Sequence, residues 1–289
     1  MLYLVLPVHN REAVTSDFLD MLLRQDFAPY TLIIVDDGCT DNTVATARSL
    51  VPDESLVVLK GDGNLWWGGA LHMAWKYLRN HGAADGDAVL ILNDDVTFSS
   101  EFLTAGMVLL QRNPNTCIQA ECTDITSRSV DRGVVAQLAM LRFRAALRGE
   151  QPNCLSTRGL LMRADAFVNS GGFRPNRLPH YLSDYEFTLR MRRHGMHLMT
   201  DPSFSLEGNS QLTGTERYGG RGLRQFWSRT FSNRAKFNPI HWSAFILLAC
   251  PVWVVPAQLS RVWARFGVAL AASLLKTSRK ATRHTKDNQ

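Results

Sequence analysis

The stretch Val89-Leu-Ile-Leu-Asn-Asp-Asp-Val96 joins an apolar run to two adjacent carboxylates. Four apolar residues are enough for a buried strand, and this strand would deliver Asp94 and Asp95 together at its end. Adjacent acids repel each other and resist desolvation, so the pair requires a counter-charge. A bound metal ion or a cationic partner would supply it.

Upstream of this stretch, apolar runs alternate with amphipathic segments. The pattern predicts strands over 2–8, 31–35, 55–59 and 88–92, and helices over 14–24, 41–50 and 69–80. Short strands separated by helical patterns indicate βαβ units and a parallel sheet, hence an α/β fold. Because ligands bind at the carboxyl ends of such strands, the polar loops that follow all four strands predict one site at that edge.

The alternation weakens after residue 115. Strands are predicted over 117–121 and 155–162, a short helix over 163–168, a helix over 184–194, and two further strands over 196–200 and 203–206.

The net charge of +6 is distributed unevenly along the 289 residues. From Arg217 to the end there are 13 Lys and Arg residues against one acid, Asp287. Such a basic segment is expected to seek an anionic surface. Five cysteines without a C-x-x-C pair fit a reduced, cytoplasmic setting, and Met1 leads directly into a strand-like run, so no signal peptide is expected.

The basic end also contains an apolar segment, 243–259, which is interrupted by Pro251 and Pro256. A membrane-spanning helix needs about 20 apolar residues, so this segment is too short. Together with Trp253 and Trp263, the pattern predicts peripheral attachment to an anionic membrane at the inner face of the cell membrane. The alternative is a helical cap packed on the catalytic domain. Nucleic acid is not expected as a partner, because the basic residues lack a recognised binding motif.

Five short motifs occur in the order typical of the family 2 glycosyltransferases. They are Pro7-Val-His-Asn10, Asp36-Asp-Gly-Cys-Thr-Asp41, Gly63-Asn-Leu-Trp-Trp-Gly-Gly-Ala70, Leu92-Asn-Asp-Asp-Val96 and Ser183-Asp-Tyr-Glu-Phe187. The chain resembles the branch of bacterial rhamnosyltransferases that build O-antigen and cell-surface polysaccharide. The resemblance covers roughly residues 2–210. It implies a GT-A domain, a nucleotide-sugar donor, a divalent metal and an inverting displacement. We therefore expect a catalytic domain at 1–215 and a basic, apolar helical region at 216–289.

The resemblance implies a metal site at Asn93-Asp94-Asp95, which matches the family's D-x-D element. Asp95 would bind Mn²⁺ or Mg²⁺ directly, and Asp94 would lie near the ribose or the sugar. Oxygen ligands suit these hard cations, and carboxylates can approach a diphosphate only through a cation. Near the position where relatives carry a metal-binding His, this chain has Glu207. Either Glu207 replaces that His as a metal ligand, or the third ligand is absent.

The other motifs imply a donor-binding site. Asp36 and Asp37 would accept hydrogen bonds from the base or ribose, and glycines allow close backbone approach. Trp66 and Trp67 would either stack on the base or a sugar face or pack in the core. The remaining residues assigned to the donor are Pro7, His9, Asn10, Asn64, Gly68, Gly69, Asn93 and Asp94.

Asp184 matches the general base of the family. An inverting transfer needs a carboxylate that deprotonates the acceptor hydroxyl as it attacks the anomeric carbon. The alternative is that Asp184 only caps the helix that follows.

Several other functions are compatible with parts of the sequence. A glycoside hydrolase also uses paired carboxylates but has no need of nucleotide loops. A nucleotidyltransferase should carry a Gly-rich phosphate loop after the first strand, which Pro7-Val-His-Asn10 is not. The resemblance therefore implies transfer of one sugar, from dTDP-rhamnose or a UDP-sugar, to a glycan or lipid-linked acceptor. An inactive scaffold of the same fold that recruits a membrane partner is the alternative.

Overall fold

The computed structural model describes residues 1–208 and 223–286, with side chains at 1–208 and 224–274. The strands are β1 (Leu2–Val8), β2 (Tyr30–Asp36), β3 (Leu56–Lys60), β4 (Ala88–Ile91), β5 (Val96–Thr97), β6 (Thr116–Asp124), β7 (Val130–Asp131), β8 (Val134–Gln137), β9 (Arg142–Ala145), β10 (Leu160–Arg163) and β11 (His197–Gly208). The helices are α1 (Glu12–Leu22), α2 (Thr43–Leu50), α3 (Trp66–His81), α4 (Phe102–Arg112), α5 (Ala164–Asn169), α6 (Ser183–Arg193), α7 (Leu223–Thr230), α8 (Pro239–Ala249) and α9 (Val255–Lys286).

A nine-stranded mixed sheet organises residues 2–208 in the order β3-β2-β1-β4-β10-β6-β11-β5, with β7 paired to β6. The first four strands are parallel, as the sequence predicted, so their carboxyl ends meet at one edge. Strand β10 runs antiparallel between β4 and β6. A two-stranded sheet of β8 and β9 lies apart from the main one.

The sheet is buried on both faces, which explains the continuous apolar runs in its strands. Leu4 packs into the core layer that contains Phe18 of α1, and its neighbour Val5 packs into the layer that contains Leu71 of α3. Successive side chains point to opposite sides of a strand, so one strand supplies both layers.

The acidic stretch crosses the sheet edge. Strand β4 ends at Ile91, and β5, which follows residues 92–95, pairs with β11 at the far edge, where Val96 lies opposite Gly208. The chain therefore carries Asp94 and Asp95 across the strand ends.

Three predicted strands differ from the observed ones. The strands expected at 196–200 and 203–206 are one strand, β11, with an irregularity between Asp201 and Ser205. The strand expected at 155–162 begins only at Leu160, because side chains take up the preceding backbone N–H groups: Thr188 accepts from Leu155 and Gln119 from Ser156.

Helix α6 provides part of the surface on which the C-terminal helices pack. Phe245 of α8 is fully buried beside Leu189 of α6, and Arg193 donates hydrogen bonds to the carbonyls of Leu248 and Ala249. The apolar segment 243–259 is not one helix, because α8 ends at Ala249. Within 1–208 and 223–286, every helix is too short or insufficiently apolar to cross a membrane. The predicted domain boundary at 215/216 lies outside the described residues.

Candidate active site

A cleft of about 500 Å³ lies over the carboxyl ends of β1, β2 and β4. Four polar loops of the parallel half meet there, together with residues from before α6 and from between α7 and α8. Its lining includes Pro7, Val8, His9, Arg11, Asp37, Gly63, Trp66, Trp67, Ala70, Asn93, Asp94, Asp95, His180 and Arg234.

The acid pair at the floor of the cleft has a cationic partner within the protein. Arg11 places its Nε 3.3 Å from Oδ1 of Asp94 and its Nη2 3.7 Å from Oδ2 of Asp95. Thr15 donates its hydroxyl to Asp94 at 3.0 Å. Burial raises the pKa of Asp94, against the opposing effect of Arg11. One guanidinium therefore supplies part of the counter-charge that the sequence required.

A second arginine, Arg158, lies in the electrostatic field of the same acids. Burial by itself would lower the pKa of Arg158, but the charges of Asp95 and its other neighbours raise it. Its Nη1 lies 3.9 Å from Sγ of Cys122. Arg158 thus adds positive charge near Asp95, from a different loop than Arg11.

The residues of the floor fit a divalent cation that is shared with phosphate. Oδ1 of Asn93 is buried without a hydrogen-bond partner, next to the buried carboxylate of Asp95. Mg²⁺ is commonly held by one or two carboxylates and the substrate's phosphates, with no complete protein cage. Among the described side chains, no three His, Cys, Asp or Glu residues form a group able to hold a metal. The oxygen donors present therefore suit Mn²⁺ or Mg²⁺ only with a phosphate ligand alongside.

Glu207 lies in β11 with its side chain exposed. Its neighbour Leu206 is buried, and a Cβ on Gly208 would point towards Cys122 and Arg158. Because side chains alternate along a strand, Glu207 faces away from that arginine. Its role as a metal ligand remains a prediction.

The two acids predicted to bind the nucleotide-sugar donor, Asp36 and Asp37, accept hydrogen bonds from the loops of the cleft. Asp37 accepts hydrogen bonds from the backbone N–H groups of Leu65 and Trp66, both at 3.0 Å, which fixes the start of α3. Asp36 accepts from the N–H of Cys39 at 2.7 Å. These contacts set the geometry of the cleft wall, and binding of the donor by the same acids remains a prediction.

The loop after β1 is joined to the loop after β2. Nδ1 of His9 lies 2.5 Å from the carbonyl oxygen of Asp37, and Oδ1 of Asn10 accepts from the N–H of Thr40 at 2.7 Å. Asn10 has a φ of 51°, a left-handed conformation that Asn tolerates better than most residues. Pro7 lies at the end of β1 and lines the cleft.

The two tryptophans have different environments. Trp67 donates its Nε1–H to Oγ1 of Thr157 at 2.8 Å and packs against the core, although it also lines part of the cleft. The Trp66 ring forms the cleft wall, with the His180 ring centroid 5.8 Å away and the guanidinium carbon of Arg234 5.7 Å from its own centroid. Trp66 is therefore the better placed of the two to stack on a ligand.

The glycines of the third motif contact protein on the side where a Cβ would stand. A Cβ on Gly68 would lie 2.6 Å from the carbonyl oxygen of Leu178, and one on Gly69 would lie 3.2 Å from Cβ of Leu65. Gly68 thus allows α3 to approach the segment before α6. Asn64 is exposed and lines a separate groove beside Trp66, outside the main cleft. Donor contacts of all three residues remain predictions.

Asp184 lies in the first turn of α6. Burial raises its pKa to about 6, although the N–H of Tyr185 donates to the carboxylate at 2.9 Å and opposes the shift. The positive charge of Arg158 also lowers the pKa of Asp184. Arg158 therefore interacts electrostatically with both Asp184 and Asp95. The hydrogen bond within the turn is compatible with the helix-capping alternative, and a carboxylate with a raised pKa is suited to accept a proton.

Four residues of the site were missed by sequence reasoning: Arg11, Arg158, His180 and Arg234. Arg11 directly follows the first motif and could have been proposed as the counter-charge. Burial lowers the pKa of His180 to about 4, helped by Arg234 and His241, so its imidazole is neutral at physiological pH. Arg234 carries no local signal, because only the folded chain brings it to Trp66.

Comparison with known proteins agrees with this geometry. Residues 3–169 match the model described as Glycosyl transferase family 2. The chain belongs to this family. A curated relative, an uncharacterized glycosyltransferase of Haemophilus influenzae, is 25% identical over 222 residues. The alignment covers 71% of this chain and 64% of the relative, so the chain spans less than two thirds of that relative's length.

Solved structures share the fold of this family 2 member. Staphylococcus aureus TarS 1-349 in complex with UDP-GlcNAc gives a TM-score of 0.56 at 15% identity, covering 91% of this chain and 71% of TarS. The mannosyltransferase PcManGT from Pyrobaculum calidifontis, in complex with GDP-Man and Mn²⁺, gives 0.53 at 18% identity, covering 97% and 79%. The fold is therefore of the GT-A type with a helical C-terminal region, as the sequence predicted.

Proposed function

We propose that the protein is a metal-dependent, inverting glycosyltransferase that moves one sugar from a nucleotide-sugar donor to a hydroxyl group of its acceptor. The observation that carries this proposal is the buried pair Asp94 and Asp95 at the floor of the cleft, beside the unbonded amide oxygen of Asn93. Nucleotide-sugar and Mn²⁺ complexes of proteins with the same fold support it.

Asp95 and Asn93 would hold the cation. When bound, Mn²⁺ or Mg²⁺ would neutralise the diphosphate and act as a Lewis acid for its departure. Arg234, at the mouth of the cleft, can donate hydrogen bonds to phosphate oxygens, and Trp66 offers an aromatic face to the base or the sugar.

Asp184 would accept the proton of the attacking hydroxyl. With a pKa of about 6 it is mostly ionised at neutral pH and remains a stronger base than an ordinary aspartate. Attack opposite the leaving diphosphate inverts the anomeric centre.

We further propose dTDP-rhamnose or a UDP-sugar as the donor and a glycan or lipid-linked acceptor of surface-polysaccharide synthesis, at the cytoplasmic face of the membrane. The resemblance of the motifs to those of rhamnosyltransferases favours this choice of donor. The basic C-terminal region favours an acceptor at an anionic surface.

Calorimetric titration of the full chain with UDP, dTDP and GDP, with and without Mn²⁺, tests the donor site. We expect Mn²⁺ to strengthen binding of one nucleotide by about tenfold or more, since a buried cation bridges charges that otherwise repel. Asp95→Asn should remove this dependence on Mn²⁺, whereas Asp53→Asn, at an exposed acid in the turn before β3, should retain it.

If the folded protein binds none of the nucleotides, the transferase proposal fails and the scaffold of the same fold takes its place. Circular dichroism of each variant verifies that a loss of binding is not a loss of folding.

A further inference from the structure

The C-terminal helices leave large apolar side chains in solvent. Ile240 and Leu247 of α8 are 55% and 62% exposed, and Val252 and Trp253, in the turn that follows, are 81% and 78% exposed. Single exposed apolar residues are common on protein surfaces, but a contiguous group marks an interaction site.

The two exposed residues of α8 lie on one face. Ile240 and Leu247 are seven positions apart, so they lie on the same side of α8, and the buried Phe245 and Ala249 occupy the opposite side. Helix α8 thus packs on the catalytic part with one side and presents apolar residues to solvent with the other.

Helix α9 extends the same surface. Nε1 of Trp263 donates to Oγ of Ser243, at 3.2 Å, and Ser243 lies between Ile240 and Leu247 on the exposed side of α8. Trp263 itself is 45% exposed. We name the group formed by Ile240, Leu247, Val252, Trp253 and Trp263 the apolar ridge.

The helix that contributes Trp263 to the apolar ridge is basic. Arg261 and Arg265 are exposed on α9, and the sequence of α9 contains Lys and Arg but neither Asp nor Glu. Apolar and aromatic side chains next to a one-sided positive charge match a bilayer surface, where acyl chains lie beneath anionic headgroups and Trp favours the interface.

We propose that the apolar ridge docks the protein on an anionic phospholipid surface, with its large apolar side chains among the upper acyl chains and the arginines on the headgroups. A second copy of the chain is a poorer fit, because pairing two ridges brings arginines of the same sign together. The inference does not depend on the proposed transferase activity, since it rests on residues outside the cleft.

Cosedimentation of the full chain with vesicles tests the proposal. One vesicle set contains phosphatidylcholine alone, and the other contains phosphatidylcholine mixed with phosphatidylglycerol. We expect binding to the anionic vesicles to be at least about tenfold stronger and to weaken with added salt, because the headgroup contacts are screened.

The double variant Leu247→Ser, Trp253→Ser should lose at least about tenfold in binding to anionic vesicles, the order expected for removing buried apolar side chains. The matched control is Leu147→Ser, which changes an equally exposed leucine, 69% exposed, between β9 and β10 in the catalytic part. This control should bind vesicles like the unchanged protein.

Unchanged vesicle binding by the double variant would overturn the proposal. So would a dimer of the unchanged protein in analytical ultracentrifugation that the double variant converts to monomer, because the second copy would then be the occupant. Nucleotide titration of the same samples separates failure of the ridge from failure of the donor site.

Discussion

The parallel half of the sheet buries its apolar residues, whereas the C-terminal helices leave several of theirs exposed to solvent. Leu4, Ile33 and Ile91 in the sheet have no exposed surface, whereas Val252 and Trp253 are among the most exposed apolar residues of the described chain. In the sheet, burial on both faces holds each strand in place, and this fixes the positions of the polar loops at the strand ends. Around α8, apolar surface remains in solvent where a partner could cover it.

This difference in packing suits the two proposed roles, chemistry in the cleft and docking through the C-terminal helices. A reacting constellation needs positions that are held closely, which a packed sheet supplies. Arg234 is one of the contacts between the two regions, since it comes from the segment between α7 and α8 and reaches the wall of the cleft. Substitutions in each region therefore test whether the two regions differ in function as well as in packing.

The largest effect is expected at the rigid region, from Asp184→Asn. The amide cannot accept the acceptor's proton, so we expect kcat to fall by about 10²–10⁴ with nucleotide affinity unchanged. In the unchanged enzyme, activity should fall as the pH drops through about 6, where Asp184 becomes protonated. Steady-state rates across pH measure both effects.

The control for this variant is Asp165→Asn, at an exposed acid of α5, which should retain full activity. An unchanged kcat in Asp184→Asn would assign the proton to another group and leave Asp184 with its helix-capping role.

A smaller effect is expected where the regions meet, from Arg234→Ala. A hydrogen bond to a charged group is worth about 1.5–3 kcal/mol, so binding of a nucleoside diphosphate should weaken by roughly tenfold to a hundredfold. Binding of the corresponding nucleoside should be unaffected, because it lacks the phosphates. Calorimetry on the two ligands measures the difference.

Lys236→Ala, at an exposed basic residue two positions further on, is the matched control and should bind both ligands normally. Equal losses for nucleoside and nucleoside diphosphate would show that Arg234 acts through the Trp66 ring and not through phosphate.

The smallest effects are expected from two glycine substitutions that probe packing in each region. Gly68→Ala places a Cβ 2.6 Å from the carbonyl oxygen of Leu178, so we expect a loss of about 1–3 kcal/mol in the free energy of unfolding. Gly267→Ala in α9 meets nothing within 4 Å and should stabilise by up to about 1 kcal/mol, because Ala favours helix.

Denaturant midpoints of the two variants give the comparison directly. A neutral Gly68→Ala would mean that the approach of α3 to the segment before α6 is looser than its contacts indicate.

The sequence predicted the parallel half well because its strands are continuous apolar runs. The strand expected at 88–92 is β4, Ala88–Ile91, and the one expected at 2–8 is β1 without change. The prediction was wrong for 155–162, where the side chain of Thr188, distant in sequence, accepts the backbone N–H of Leu155. Local pattern contains no information about such partners.

The same limit applies to the site. The meeting of Pro7, Asp37 and Asn93 at one sheet edge follows from parallel strands, and the sequence predicted it, although the chemical roles of these residues remain predictions. The sequence also indicated that the acid pair needed a counter-charge, but did not identify Arg11. Arg234 could not be predicted, because its position depends on how α8 packs against α6.

The backbone of Trp66 has a consequence for the thermodynamics of binding. Its φ of 57° is a left-handed conformation that costs a bulky residue roughly 1–3 kcal/mol, and the two hydrogen bonds to Asp37 hold it in place. The free-energy cost of this conformation is part of folding, before any ligand binds. A base or sugar that stacks on the indole therefore need not order the Trp66 side chain. Association at this wall should therefore carry little entropic penalty from the protein, and its temperature dependence should reflect mainly the surface that the ligand covers.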